Sequence, residues 1–183
     1  FQNKKLKDFI KDAPLAIVVN CIDMREPLNM LMNTGIGDLI PLKVAGNILG
    51  ADLIDTIEIS CRKQHAKLIL IMGHSPNKLI NYALKNTRSS SEERIISLLT
   101  PAISEGFFKP KELNAENLED WTERLTKWNI EYSRALVLSS NPYLKSEILK
   151  GNIGLCTAIF NRKTGKIEFS TLSIAENRSK IIP

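Results

Sequence analysis

Two apolar runs of strand length constrain the fold of this chain more than any other feature. Leu15 to Asn20 is a continuous run rich in β-branched residues, and Lys67 to Met72 is a second run of the same kind. Uninterrupted apolar runs of this length are typical of strands that are covered on both faces, as in a parallel sheet. Residues 52 to 64, between them, have helical spacing, with one apolar side formed by Leu53, Ile54, Ile57 and Cys61.

The remaining segments continue this alternation of strands and helices. We expect a helix at residues 3 to 12, a short one at Leu28 to Asn33, and a strand at Leu39 to Ala45 that contains Pro41. Residues 76 to 110 are helix-like with a polar interruption, and a later helix has an apolar stripe at Trp121, Leu125, Trp128 and Tyr132. The tail predicts a hairpin formed by Ile153 to Asn161 and Ile167 to Leu172.

These elements predict an α/β protein with a central, mostly parallel β-sheet, flanking helices and a C-terminal antiparallel edge strand. At 183 residues the chain has the size of one globular domain, residues 1 to 183. Its 43% hydrophobic and 25% charged residues exclude a disordered or fibrous class. The net charge of +5 is spread along the chain among acidic residues, which argues against a nucleic-acid surface.

The cysteines and the apolar runs indicate a cytoplasmic protein. The three cysteines are Cys21, Cys61 and Cys156, an odd and widely spaced set in a chain that does not need cross-links. No apolar run approaches the roughly 20 residues that span a bilayer. The chain opens with Phe1 and Lys-rich sequence. We therefore expect a cytosolic domain that was cut from a longer polypeptide.

Polar groups follow both predicted strands. In open parallel sheets ligands bind at the carboxyl ends of the strands, where Cys21 and His74 would both lie. Cys21, Asp23 and Arg25 alternate, so in extended geometry they would point the same way. Two plainer interpretations stay open, because a strand-end cysteine is often a small buried hydrophobe and an Asp near an Arg is often a local ion pair.

The order of several short motifs resembles the β-class carbonic anhydrases. After Cys21-x-Asp23-x-Arg25 come Gly37-Asp38-Leu39, Val44-Ala45-Gly46-Asn47, Ile57-Glu58 and Gly73-His74-Ser75. The segment from Gly154 to Phe169, with Lys163-Thr164-Gly165-Lys166, is similar to the last hairpin of that family. The resemblance extends from about Ala16 to Phe169.

The resemblance implies a zinc site with one ligand missing. Carried over, the metal ligands are Cys21 and His74, and Asp23 paired with Arg25 is the catalytic dyad. The family's third ligand is the Cys of an H-x-x-C motif, and that position is Asn77 here, followed by Lys78. A neutral amide is a poor substitute for a thiolate, so zinc is expected to be weakly bound or absent. Cys61, Cys156 and His65 do not rescue the site, because the two cysteines fall on buried apolar positions and His65 lies at a helix end.

The resemblance thus implies a carbonic anhydrase-like domain that is weak or inactive in CO2 hydration and has a regulatory or structural role. It further implies a homodimer and attachment to a membrane anion transporter of the sulfate-permease class. One alternative is an active zinc-dependent carbonate dehydratase with an unusual ligand set. A second is a non-catalytic module that binds bicarbonate or another small anion through Arg25, Lys43 and Lys78.

Overall fold

The computed structural model describes residues 13 to 84, residue 97 and residues 110 to 170. Within these ranges strands alternate with helices, as the sequence predicts. The strands are β1 (Ala16–Cys21), β2 (Leu39–Val44), β3 (Leu68–Ser75), β4 (Gly154–Asn161) and β5 (Lys166–Phe169). The helices are α1 (Leu28–Leu31), α2 (Ala51–Lys63), α3 (Lys78–Leu84), α4 (Leu118–Ser140) and α5 (Pro142–Leu149), with 3-10 turns at Ala45–Asn47 and Pro110–Glu112.

The five strands form one sheet in the order β2-β1-β3-β4-β5. The pairs β1–β2, β1–β3 and β3–β4 are parallel, and only β4–β5 is antiparallel. The predicted fold class is therefore confirmed. Pro41 is tolerated because β2 is an edge strand, where a missing N–H removes no ladder hydrogen bond on the open side.

Both faces of the sheet are covered, which explains the apolar runs of β1 and β3. One core joins Ile17, Val19, Ile69 and Ile71 to apolar residues of α2, α4 and α5. The other core contains the alternate strand residues together with Met24 and the start of α1. All six residues of β1 are buried. Burial of this kind contributes about 1.5–3 kcal/mol per large apolar side chain, so these two strands anchor the fold.

Helix α4 lies tightly against the end of β3. A Cβ added at Gly73 would lie 3.0 Å from Ile159 Cδ1, 3.1 Å from Thr126 Cγ2 and 3.2 Å from Ile130 Cγ2. A larger residue at this position would require these neighbouring side chains to shift by a few tenths of an ångström. The close packing at Gly73 therefore helps to position the next residue of the strand, His74.

The main differences from the predicted elements lie at their ends. β3 continues past Met72 to Ser75, so His74 belongs to the strand itself. β5 ends at Phe169, before the predicted Leu172. The apolar stripe of α4 is confirmed for Trp121 and Leu125, which are buried, whereas Trp128 is only partly buried.

The predicted helix at residues 3 to 12 and most of residues 76 to 110 fall outside the described residues. None of the helices within the described ranges is long and apolar enough to cross a membrane.

Candidate functional site

The carboxyl ends of β1, β3 and β4 meet at one edge of the sheet. β1 and β3 run in register up to Asn20 and Met72, and β3 and β4 up to Ser75 and Asn161. The backbone N–H of Arg162 then donates to the carbonyl of Ser75 at 2.9 Å. This edge therefore carries polar residues from three strands, where sheets of this type bind ligands.

Cys21 is completely buried at the end of β1. Its Sγ accepts a hydrogen bond from the backbone N–H of Asp23 at 3.4 Å. Burial raises the pKa of the thiol, against a smaller opposite effect of backbone N–H groups at Asp23, Gly46 and Asn47. Backbone donors around a sulfur favour the thiolate. Cys21 thus lies in a shell suited to an anionic sulfur, yet burial keeps the thiol protonated.

His74 is also completely buried. Its Nδ1 lies 2.9 Å from the carbonyl oxygen of Pro76, and because a carbonyl only accepts, Nδ1 carries the proton and donates. Burial lowers the pKa of His74, which favours the neutral ring. Nε2 then has a free lone pair, and none of the described residues makes a hydrogen bond to it. Oδ2 of Asp23 lies 3.9 Å from Nε2.

Asp23 is paired with a residue other than the one expected from the sequence. Its Oδ2 accepts from the backbone N–H of Lys78 at 3.3 Å and lies 3.6 Å from Nη1 of Arg162. Arg25 is exposed, and among the described residues it makes no ion pair with Asp23. The alternation of an extended strand stops here, because the Met24 N–H donates to the Cys21 carbonyl and turns the chain. The expected pairing of Asp23 with Arg25 is therefore not observed.

Arg162 was not among the site residues predicted from the sequence, although it lies directly after β4. Its Nε is 2.8 Å from Oε1 of Glu26, which follows Asp23 in the same loop. Burial acts to raise the pKa of Glu26, but its backbone hydrogen bond and Arg162 together lower that pKa below its ordinary value. The rule that functional groups gather at the carboxyl ends of parallel strands was the signal that could have found it.

Asn77 is buried, with 1% of its surface exposed. Its Oδ1 accepts a hydrogen bond from the backbone N–H of Ile80 at 3.1 Å, which caps the first turn of α3. Its Nδ2 has no hydrogen-bond partner in the part of the chain that the structure describes. The atom of Asn77 left without a partner is therefore a donor, and a donor does not bind a cation.

The other expected candidates lie away from the centre of the site. The side chain of Lys78 is exposed, so its ammonium does not enter the buried part of the site. A cavity of about 290 Å³ lies beside it, lined by Ser75, Pro76, Asn77, Lys78 and residues of α3 and α4. Cys61 and Cys156 are buried in the two cores, and His65 is exposed after α2. These positions agree with the non-ligand interpretation of Cys61, Cys156 and His65.

The side chains of this site do not match the ligand set of a three-ligand zinc centre. Catalytic zinc takes three protein ligands that carry lone pairs or negative charge. Cys21 accepts from the backbone N–H of Asp23, and Asp23 lies 3.9 Å from His74 Nε2. Asn77 offers only a neutral amide oxygen, one of whose two lone pairs already accepts from the Ile80 N–H. Across residues 13–84, 97 and 110–170, no three His, Cys, Asp or Glu side chains lie close enough together to hold a metal ion.

Comparison with known proteins assigns the family. The carbonic anhydrase family profile matches residues 16–167, which contain every site residue described above. The chain belongs to the carbonic anhydrase family. Its fold is that of solved β-carbonic anhydrases. One of them is among two tetrameric β-carbonic anhydrases from Sordaria macrospora, with a TM-score of 0.75, 21% identity and coverage of 89% of this chain and 84% of that chain.

A second carbonic anhydrase structure, CafA of Aspergillus fumigatus, gives a TM-score of 0.75 at 18% identity, covering 93% of this chain and 80% of that chain. Curated carbonic anhydrases match over shorter stretches. "Carbonic anhydrase 2" of Mycobacterium tuberculosis is 27% identical over 71 residues, which are 39% of this chain and 34% of that protein. The carbonic anhydrase of Mycolicibacterium smegmatis is 25% identical over 125 residues, 61% of this chain and 59% of that protein. The chain thus aligns with about a third to three fifths of these relatives.

Proposed function

We propose that this member of the carbonic anhydrase family has an impaired zinc site, is weak or inactive in CO2 hydration, and serves a regulatory or structural role. In this proposal Cys21 and His74 occupy the metal-ligand positions, Asp23 and Arg25 the dyad positions, and Asn77 the position of the third ligand. The whole chain, residues 1 to 183, is one such domain.

The observation that carries the proposal is the hydrogen bond from the Ile80 N–H to Oδ1 of Asn77. The amide oxygen is the only side-chain atom of Asn77 that can bind a metal, and one of its two lone pairs already caps α3. Turning this oxygen away from the cap toward a metal would leave a buried backbone N–H without a partner, which costs about 1–3 kcal/mol. Zinc binding here therefore lacks one thiolate ligand, and binding through Asn77 would cost additional free energy because the cap of α3 would be lost.

The proposal is tested by stopped-flow CO2 hydration with protein prepared in metal-free buffer, assayed before and after addition of one equivalent of zinc. A β-carbonic anhydrase with the complete H-x-x-C motif is the positive control. We expect rates near the uncatalysed background in both conditions. Hydration that rises to the control's range when zinc is added would contradict the proposal.

In one alternative, the protein binds zinc but remains inactive. The buried Nε2 of His74 lies 3.9 Å from Oδ2 of Asp23 without a hydrogen-bond partner among the described residues, and Cys21 is hydrogen-bonded to the Asp23 backbone. If these three side chains moved closer together than they lie in the structure, they would form a closed zinc site with no position left open for water. Such a protein would contain zinc and remain inactive, so metal content measured together with hydration distinguishes it from both an empty site and an active dehydratase.

The anion-binding alternative has less support. Of its three basic residues, Arg25 is exposed and Lys43 Nζ donates to the Met24 carbonyl at 2.9 Å. Only Lys78 lines the cavity of about 290 Å³. Isothermal titration with bicarbonate and with sulfate tests this function, and saturable heat that is lost in Lys78→Ala would support it.

Attachment to a membrane anion transporter and a cytoplasmic location are part of the same proposal. They are tested with an antibody raised against this domain, applied to fractionated cells of the source. A band much larger than 20.6 kDa in the membrane fraction would support the attachment. A band of that mass in the soluble fraction alone would exclude it.

A further inference from the structure

We infer that Arg162 is the resident cation of this site, which holds Asp23 and Glu26 in place without a metal and keeps divalent ions out. The inference rests on the proposed absence of a working zinc centre. Arg162 then supplies the positive charge that a zinc ion would otherwise provide.

Arg162 joins three segments at the carboxyl edge of the sheet. Its backbone N–H is bonded to the Ser75 carbonyl at the end of β3. Its guanidinium reaches Glu26 Oε1 at 2.8 Å and Asp23 Oδ2 at 3.6 Å, both in the loop after β1. A planar guanidinium with several donors in a fixed arrangement is suited to hold two carboxylates together.

The ion pairs of Arg162 with Asp23 and Glu26 affect stability because all three side chains are largely buried. The side chains of Arg162, Asp23 and Glu26 are only 23%, 15% and 29% exposed. Ion pairs on an open surface contribute little, but charges withdrawn this far from water are costly when a partner is removed. Arg162 is the one arginine or lysine whose side chain forms an ion pair with either carboxylate in the described parts of the chain.

The guanidinium also explains why a metal ion is disfavoured beyond the missing thiolate. Oδ2 of Asp23 is the carboxylate atom that faces Nε2 of His74, at 3.9 Å, and the same atom lies 3.6 Å from Arg162. A divalent ion bound between Asp23 and His74 would meet a positive group at short range. Like charges at such distances repel strongly where water is largely excluded.

The test compares Arg162→Gln, which removes the charge, with Arg162→Lys, which keeps it. Arg25→Gln is the matched control, because Arg25 lies in the same loop as Asp23 and Glu26 but is exposed. Thermal unfolding in metal-free buffer should give a Tm lower by roughly 3–8 °C for Arg162→Gln, a smaller loss for Arg162→Lys, and no change beyond about 1 °C for Arg25→Gln. An equal Tm for Arg162→Gln and the unmodified protein, or equal losses for Gln and Lys, would overturn the inference.

The second readout is Co2+ titration, followed by absorption of the d–d and thiolate charge-transfer bands. Arg162→Gln should bind Co2+ roughly tenfold more tightly than the unmodified protein, because it removes the positive charge that would face the bound ion. Additional Cys21→Ser should abolish the charge-transfer band. If Arg162→Gln loses stability but gains no Co2+ affinity, Arg162 is an ordinary ion-pair residue and the inference fails. Tight zinc binding by the unmodified protein would instead refute the proposed function, so the two failures are distinguishable.

Discussion

The side-chain oxygen of Asn77 accepts a hydrogen bond from the backbone N–H of Ile80 at 3.1 Å and so begins helix α3. Asn is among the residues most favoured at this position of a helix, because its oxygen satisfies an N–H that has no partner within the helix. The residue at the family's third ligand position thus has a structural role of its own in this chain.

The capping role predicts the effect of changing Asn77. Asn77→Ala should lower the free energy of unfolding by about 1 kcal/mol, since it removes the acceptor of the Ile80 N–H. Asn77→Ser retains a side-chain oxygen and should lose less. Urea denaturation monitored by circular dichroism measures both. Identical stability of the Ala variant and the unmodified protein would show that the cap contributes nothing.

Restoring the family's ligand should restore metal binding. The double variant Asn77→Cys with Lys78→Gly places a thiolate together with Cys21 and His74, so zinc content after dialysis should rise strongly. Activity is expected to lag behind, because Arg162 still pairs with Asp23 and Pro76 precedes the new ligand. Asn81→Cys, one helical turn later, is the control and should not raise the zinc content. An equal rise in both variants would point to adventitious binding by thiols.

The buried cysteines predict weakening of the fold at alkaline pH. Burial raises the pKa of Cys61 from the ordinary 9.0 to about 11, and it also raises the pKa values of Cys21 and Cys156. Between pH 9 and 11 the folded chain therefore retains protons on thiols that the unfolded chain loses. The free energy of unfolding must fall as pH rises through this window. Denaturant midpoints at several pH values measure the slope, which should become shallower in Cys61→Ala; an unchanged slope would rule out Cys61 as a contributor.

The family resemblance also predicts pairing of this chain with a second copy. Multi-angle light scattering at micromolar concentration should give the mass of a homodimer, twice 20.6 kDa. A mass of one chain at every concentration tested would contradict this prediction.

Much of the fold was accessible from the sequence because the apolar runs of β1 and β3 are buried on both faces and carry the parallel-sheet signature. The positions of Cys21 and His74 at one sheet edge followed from the same reasoning. The partner of Asp23 did not, because it depends on a turn that directs Arg25 to solvent. Arg162 approaches from 139 residues further along the chain than Asp23, and no local pattern encodes such a contact. The capping role of Asn77 likewise depended on where α3 begins.

Zinc content of the unmodified protein tests the central claim most directly. The protein would be purified in metal-free buffer, dialysed against excess zinc, passed through a desalting column and measured by elemental analysis. Because Asn77 uses its oxygen to cap α3, we expect far less than one zinc ion per chain. One zinc ion per chain, with rapid CO2 hydration in the same sample, would contradict the account.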